Sequence, residues 1–219
     1  YRLDEGERYA EAPRRNSGRG VAYWSPGESG DGARIFVVTP GYHLIALDAF
    51  NGRPISEFGE DGVLDLMIGL RGGISPVGRI GSSSPPVIVG DVVIVGSAQE
   101  VGMAPDSIRN IKGDVRGFDV RTGELMWTFH TIPTSGEFGY DTWEDGSAEY
   151  SGNAGVWAPF SADLELGYVY LPVEDATSDY YGGHRPGDNL FSSSLVCLNA
   201  RTGERVLHYQ LIHHDIWDW

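Results

Sequence analysis

Apolar residues in this chain come in short runs without helical spacing, and the runs end in turn-forming residues. Three of them share one pattern and align without gaps: Leu44 to Phe58 (LIALDAFNGRPISEF), Val115 to Phe129 (VRGFDVRTGELMWTF) and Leu195 to Tyr209 (LVCLNARTGERVLHY). In each, an apolar strand leads to Asp48, Asp119 or Asn199, and four positions later comes Gly52, Gly123 or Gly203. A side-chain oxygen at the strand end can accept from backbone N–H groups of the turn, and glycine takes the positive-φ corner. The pattern therefore predicts three β-hairpins. Each then reaches an aromatic residue, Phe58, Phe129 or Tyr209, and the middle one also carries Trp127 four residues after its glycine. Between them, Val87 to Ser97 (VIVGDVVIVGS), with a Gly-Asp turn inside, and Gly167 to Val173 (GYVYLPV) read as further strands.

The turn glycines lie 71 and 80 residues apart. That exceeds the roughly 40–50 residues of the shorter propeller repeats and leaves room for four-stranded units with inserted loops. An all-β propeller is the fold this spacing favours, and a β-sandwich of similar hairpins is the alternative. The 31 glycines and 12 prolines among 219 residues agree with turn-rich β structure.

Charge narrows the partners. Sixteen Lys and Arg stand against 31 Asp and Glu, a net charge of −15 that repels phosphate backbones; with no local basic patch, nucleic acid is excluded as a partner. The one cysteine, Cys197, sits among Leu195, Val196 and Leu198 and reads as a buried small side chain, so an internal disulfide framework and a CxxCH haem site are both absent from the sequence. No run of 18 apolar residues and no signal-peptide apolar region occurs. The chain has no initiator Met and stops directly after HHDIWDW, so both boundaries are expected to be cuts, with any signal or membrane anchor outside them.

Several residues carry candidate chemistry. Asp218, between Trp217 and Trp219, reads as a base held among rings rather than a solvated charge, while His213 and His214, with no zinc-like ligand spacing around them, read as residues that orient the loop. Glu174 and Asp175 are adjacent hard-oxygen donors of the kind Ca²⁺ takes. By type alone, Arg19 is a solvated arginine, Ser82 to Ser84 before Pro85 and Pro86 are turn formers, and Trp157 is a core residue.

The phrase DVRTGELMW (Asp119 to Trp127) resembles the tryptophan-docking repeat of quinoprotein dehydrogenases, eight-bladed propellers that bind pyrroloquinoline quinone (PQQ) on the central axis. The resemblance extends through RGVAYW (Arg19 to Trp24), SSSPPVIVGDVVIVGS (Ser82 to Ser97), VWAPFSADLELGYVYLP (Val156 to Pro172), RPGDN (Arg185 to Asn189) and HDIWD (His214 to Asp218), in the family's order. It implies that residues 1–219 are a partial eight-bladed β-propeller domain, roughly its first half. Trp127 would wedge against the next blade; Ser56 and Leu207 stand at the matching positions of the other repeats, so those blade contacts must differ.

By the same resemblance, Arg19 and Ser83 bind the cofactor and Trp157 stacks on its ring system. Asp175 and Glu100, the latter after a one-residue shift, hold Ca²⁺ or Mg²⁺, and Asp218 is the base that takes the alcohol proton. The implied activity is oxidation of a sugar, polyol or other alcohol in the periplasm, with electrons passing to a ubiquinone-type acceptor and membrane association through a segment outside these residues. FHTIPTSGEFGYDTWEDGS and YYGGHRPGDN resemble the membrane glucose dehydrogenase branch; the adjacent cysteine pair of the methanol branch is replaced by Pro13 and Arg14. The alternative is a non-catalytic propeller scaffold or assembly protein of the outer-membrane lipoprotein type, against which Arg19, Trp157 and Asp218 together argue. Residues 1–219 alone are expected to be inactive and poorly soluble, because an open ring leaves blade faces and strand edges bare.

Overall fold

The computed structural model describes residues 1–16, 20–100 and 107–217. After a short helix α1 (Glu7–Glu11), the chain forms three four-stranded antiparallel sheets, each a meander. The first contains β1 (Ala22–Trp24), β2 (Arg34–Val38), β3 (His43–Asp48) and β4 (Val63–Asp65). A two-stranded excursion, β5 (Ile80–Gly81) with β8 (Ala98–Gln99), brackets the start of the second sheet, which contains β6 (Val87–Val89), β7 (Val92–Val95), β9 (Val115–Asp119) and β10 (Leu125–Phe129). Helix α2 (Ser147–Tyr150) precedes the third sheet: β11 (Ser161–Asp163), β12 (Tyr168–Val173), β13 (Ser194–Asn199) and β14 (Arg205–Gln210). The first strands meet, β6 touching both β1 and β11, so the sheets radiate from a common line as propeller blades do.

The middle blade explains the unbroken apolar run seen in the sequence. On β7, Val92 and Ile94 pack towards the third blade with Val169, Leu171, Val196 and Leu198. Val93 and Val95 pack towards the first with Phe36, Val38, Leu44 and Phe58. Both faces are buried, so alternation vanishes, and each such side chain removed from water contributes about 1.5–3 kcal/mol. The sandwich alternative is excluded, because a sandwich strand has only one inner face.

The turns form as their residues dictate. Asp48 Oδ1 accepts from the N–H of Phe50 and Asn51, Asp119 Oδ1 from Arg121 and Thr122, and Asn199 Oδ1 from Arg201 and Thr202. Gly52, Gly123 and Gly203 take φ of 69°, 76° and 72°. Asp163, with Gly167 four residues on, builds a fourth turn of the same design, a repeat of the signature that the sequence comparison missed. The first repeat departs from the expected hairpin: after its turn only Leu47 and Pro54 form a bridge, and the fourth strand comes later, at Val63–Asp65. Pro54 has no N–H to continue a ladder.

Blade docking is also resolved. The Trp127 indole covers its cross-strand partner Gly117 and the turn glycine of the third blade, Gly203, and its Nε1 donates to the Ala200 carbonyl at 2.9 Å. Where the first blade has Ser56 instead of tryptophan, the contact is made by Phe58, packed on Gly123, and by the Gly59 N–H donating to Thr122 O at 2.9 Å. Trp24 adds a second tie that the sequence did not suggest: its Nε1 donates to Asp91 at 3.1 Å, and Arg121, paired with Asp91 at 2.9 Å, lies over the ring at 4.8 Å. Leu207, at the matching position of the third repeat, is exposed.

Candidate functional site

Four segments converge where the inner strands meet. Pairing of Ile80 with Gln99 and Gly81 with Ala98 sets the serines after β5 beside the residues before β8. The segment from Gly152 to Trp157 is held on one side by Asn153 N donating to Ile111 O and Gly113 N to Asn153 O. On its other side Ala154 N donates to Asp175 O and Glu174 N to Gly155 O. Asn153 and Ala154 both take left-handed backbone, φ 57° and 54°, a conformation that costs a side-chain-bearing residue energy and is kept here by these bonds.

Ser83 Oγ donates to the Trp157 carbonyl at 2.9 Å, and Ser84 Oγ bonds the same oxygen. Two hydroxyls thus fix the Trp157 backbone while the residue stays 48% exposed. Trp157 is therefore not the core residue its type alone suggests.

The two acids expected at a metal each meet an arginine. Asp175 faces Arg185 at 3.4 Å, and Arg185, with a side chain fully shielded from solvent, also donates to Asn189 Oδ1 at 2.9 Å. Glu100 pairs with Arg79 at 2.7 Å. Glu174 is placed differently. Its Oε1 is enclosed and has no hydrogen-bond partner, and burial, then the charges of Asp179 and Asp175, push its carboxyl well above the ordinary range, against Arg14 and a bond from Asn153. Ser97 Oγ, Asn153 Oδ1 and both polar atoms of the Gln99 amide are likewise buried without partners. Among the described residues, no three His, Cys, Asp or Glu side chains converge as a metal cluster. The orphaned oxygens are what a hard cation or a polar cofactor would satisfy, so the residues present fit such a group.

The loop entering HHDIWDW is pinned from two sides. His214 lies between two carbonyls, Nδ1 2.5 Å from Gly187 O and Nε2 3.0 Å from Gly182 O. Buried Asp215 accepts from Ser193 Oγ at 2.6 Å and from the Trp217 N–H at 3.2 Å. Trp217 is exposed and meets Tyr180 edge to face. Arg19 and Asp218, expected to bind the cofactor and to act as base, lie outside the described residues, as does Trp219.

The domain profile described as "Glucose/ethanol/alcohol dehydrogenase, beta-propeller domain" matches residues 1–219. The chain belongs to the PQQ-dependent dehydrogenase family. It is 32% identical to the glycerol dehydrogenase large subunit of Gluconobacter oxydans, over its whole length and 29% of that protein. Over 84% of the chain and 22% of the relative, it is 34% identical to the quinoprotein glucose dehydrogenase of Escherichia coli. Among solved structures, the quinohemoprotein alcohol dehydrogenase ADHIIG of Pseudomonas putida superposes with a TM-score of 0.72 at 27% identity, covering 97% of this chain and 29% of that one. The chain thus spans under a third of these PQQ dehydrogenases. The three-blade architecture is the part of the propeller that it shares with them.

Proposed function

We propose that this protein performs PQQ-dependent oxidation of a sugar, polyol or other alcohol in the periplasm, with electrons passed to a ubiquinone-type acceptor. The observation that carries the proposal is the half-exposed Trp157, its backbone fixed by Ser83 and Ser84, beside a set of buried oxygens left without partners. A planar, polar, multiply charged cofactor matches both features, with dispersion contact on the indole face and polar atoms at its edge. Arg19 supplies a guanidinium for a cofactor carboxylate. The acids expected at the metal are Asp175 and Glu100, each of which faces an arginine, and Glu174 stands beside Asp175 with one oxygen unpartnered.

When bound, PQQ would supply the hydride acceptor and the cation a Lewis acid beside it. The chain's own part is proton handling: Asp218 takes the hydroxyl proton of the substrate, and the His214 and Asp215 contacts hold the segment that carries it.

The test uses the full-length protein loaded with PQQ and Ca²⁺, with dye reduction followed on glucose, glycerol and other alcohols. Turnover should appear with at least one substrate, Asp218→Asn should abolish it while PQQ absorbance persists, and Trp157→Ala should lose the absorbance. Bound PQQ without turnover on any alcohol or sugar would refute the catalytic reading. Failure to bind PQQ would favour the scaffold alternative.

A further inference from the structure

Both acids at the expected metal positions already face cations: Asp175 meets the fully shielded Arg185, and Glu100 meets Arg79. The neighbouring carboxylate does not use its whole valence, since Glu174 Oε1 is enclosed and bonded to nothing. Two further buried oxygens in the same state, Ser97 Oγ and Asn153 Oδ1, stand on the segments facing it, and both residues are almost entirely buried. Gly155 keeps the space between them open. A methyl group there would sit 2.9 Å from the Ser97 carbonyl oxygen, 3.0 Å from Ser97 Oγ and 3.2 Å from Glu174 Oε1, so three oxygens, two of them orphaned, border one small gap.

Buried hard oxygens without donors are costly unless something positive meets them. Resting on the PQQ dehydrogenase reading, we infer that Glu174, rather than Asp175, supplies the carboxylate of the divalent-cation site in this chain, with Ser97 Oγ and Asn153 Oδ1 beside it. One carboxylate among neutral oxygens suits Ca²⁺ and gives no preference to zinc, which takes nitrogen and sulfur. Asp175 then has another task, neutralising Arg185, which in turn braces the Arg185–Asn189 loop against which His214 leans.

The experiment titrates Ca²⁺ calorimetrically into chelator-stripped full-length protein with PQQ present, and follows PQQ absorbance separately. Glu174→Gln should weaken Ca²⁺ binding at least 30-fold, and Gly155→Ala, which keeps every charge, should weaken it about tenfold. Asp175→Asn should leave Ca²⁺ affinity within threefold of the unaltered protein while lowering its melting temperature. Wild-type Ca²⁺ affinity in Glu174→Gln, with circular dichroism unchanged, overturns the assignment and leaves the family reading intact; so does loss of Ca²⁺ confined to a folded Asp175→Asn. If the unaltered protein takes up neither PQQ nor Ca²⁺, the PQQ dehydrogenase reading itself fails.

Discussion

Replacing Trp127 tests the joint between the second and third blades. The side chain is buried, lies against Gly117 and Gly203, and donates one hydrogen bond to Ala200 O. Trp127→Ala removes a buried aromatic and leaves a cavity, a change that costs about 3–5 kcal/mol. Trp127→Phe keeps ring contact with both glycines but leaves the Ala200 carbonyl unpaired, for about 1–2 kcal/mol. The sharper measurement is a cycle with Gly203→Ala. In the native background the new methyl meets the indole at 2.7 Å and also sits at φ 72°. With alanine at 127 only the left-handed backbone is penalised, at roughly 1–2 kcal/mol. The two substitutions should therefore be less harmful together than their separate costs imply, by about 1–2 kcal/mol. Urea unfolding of the full-length protein, followed by circular dichroism, measures all four members. Equal costs for Phe and Ala at 127, or strict additivity with Gly203→Ala, would refute the docking argument.

Three further outcomes follow from buried groups. Asp175→Ala strips Arg185 of its paired charge and should destabilise the protein by about 3–5 kcal/mol in urea unfolding, with Asp175→Asn costing less. Lys112, lowered to about 8 by burial and then by the charge of Arg71, donates to Ala148 O and Ser151 O at 2.5 and 2.7 Å, two bonds that a neutral amine can make. The unfolded lysine holds its proton to higher pH than the folded one, so stability relative to Lys112→Met should rise by about 2.5 kcal/mol between pH 7 and pH 10; a flat difference would show that the amine stays charged when folded. His214→Phe deletes the one ring N–H that either tautomer can donate to these two carbonyls, and at about 1 kcal/mol amide exchange over residues 212–217 should quicken about fivefold; unchanged exchange would show that Asp215 alone holds the loop.

Much of the site was legible only as residue types in order. Ser83 and Trp157 meet in the fold, yet nothing in their sequence says that two serines hold the Trp157 carbonyl and leave the residue half exposed. Glu174 and Asp175 are neighbours with the same chemistry, and sequence spacing singled out Asp175 for the metal. The difference between them arises from what faces each: Arg185, ten residues on, for Asp175, and the enclosed gap by Gly155 for Glu174. Charge pairing across loops leaves no periodic trace in a chain.

By itself the sequence determined the local events, because their causes lie within a few residues. The Asx-turn oxygens at Asp48, Asp119 and Asn199 and the glycines four residues later fold the same way wherever they occur, and the continuous apolar run of β7 demands two covered faces. Tertiary structure decided which partners fill those faces. It put Phe58 on Gly123 where a tryptophan is missing, made Trp24 a clasp on Asp91 and Arg121, and left one glutamate oxygen enclosed without a donor. Those outcomes depend on side chains far apart along the chain meeting in one packed volume, where burial and charge act over a few ångströms and sequence distance does not count.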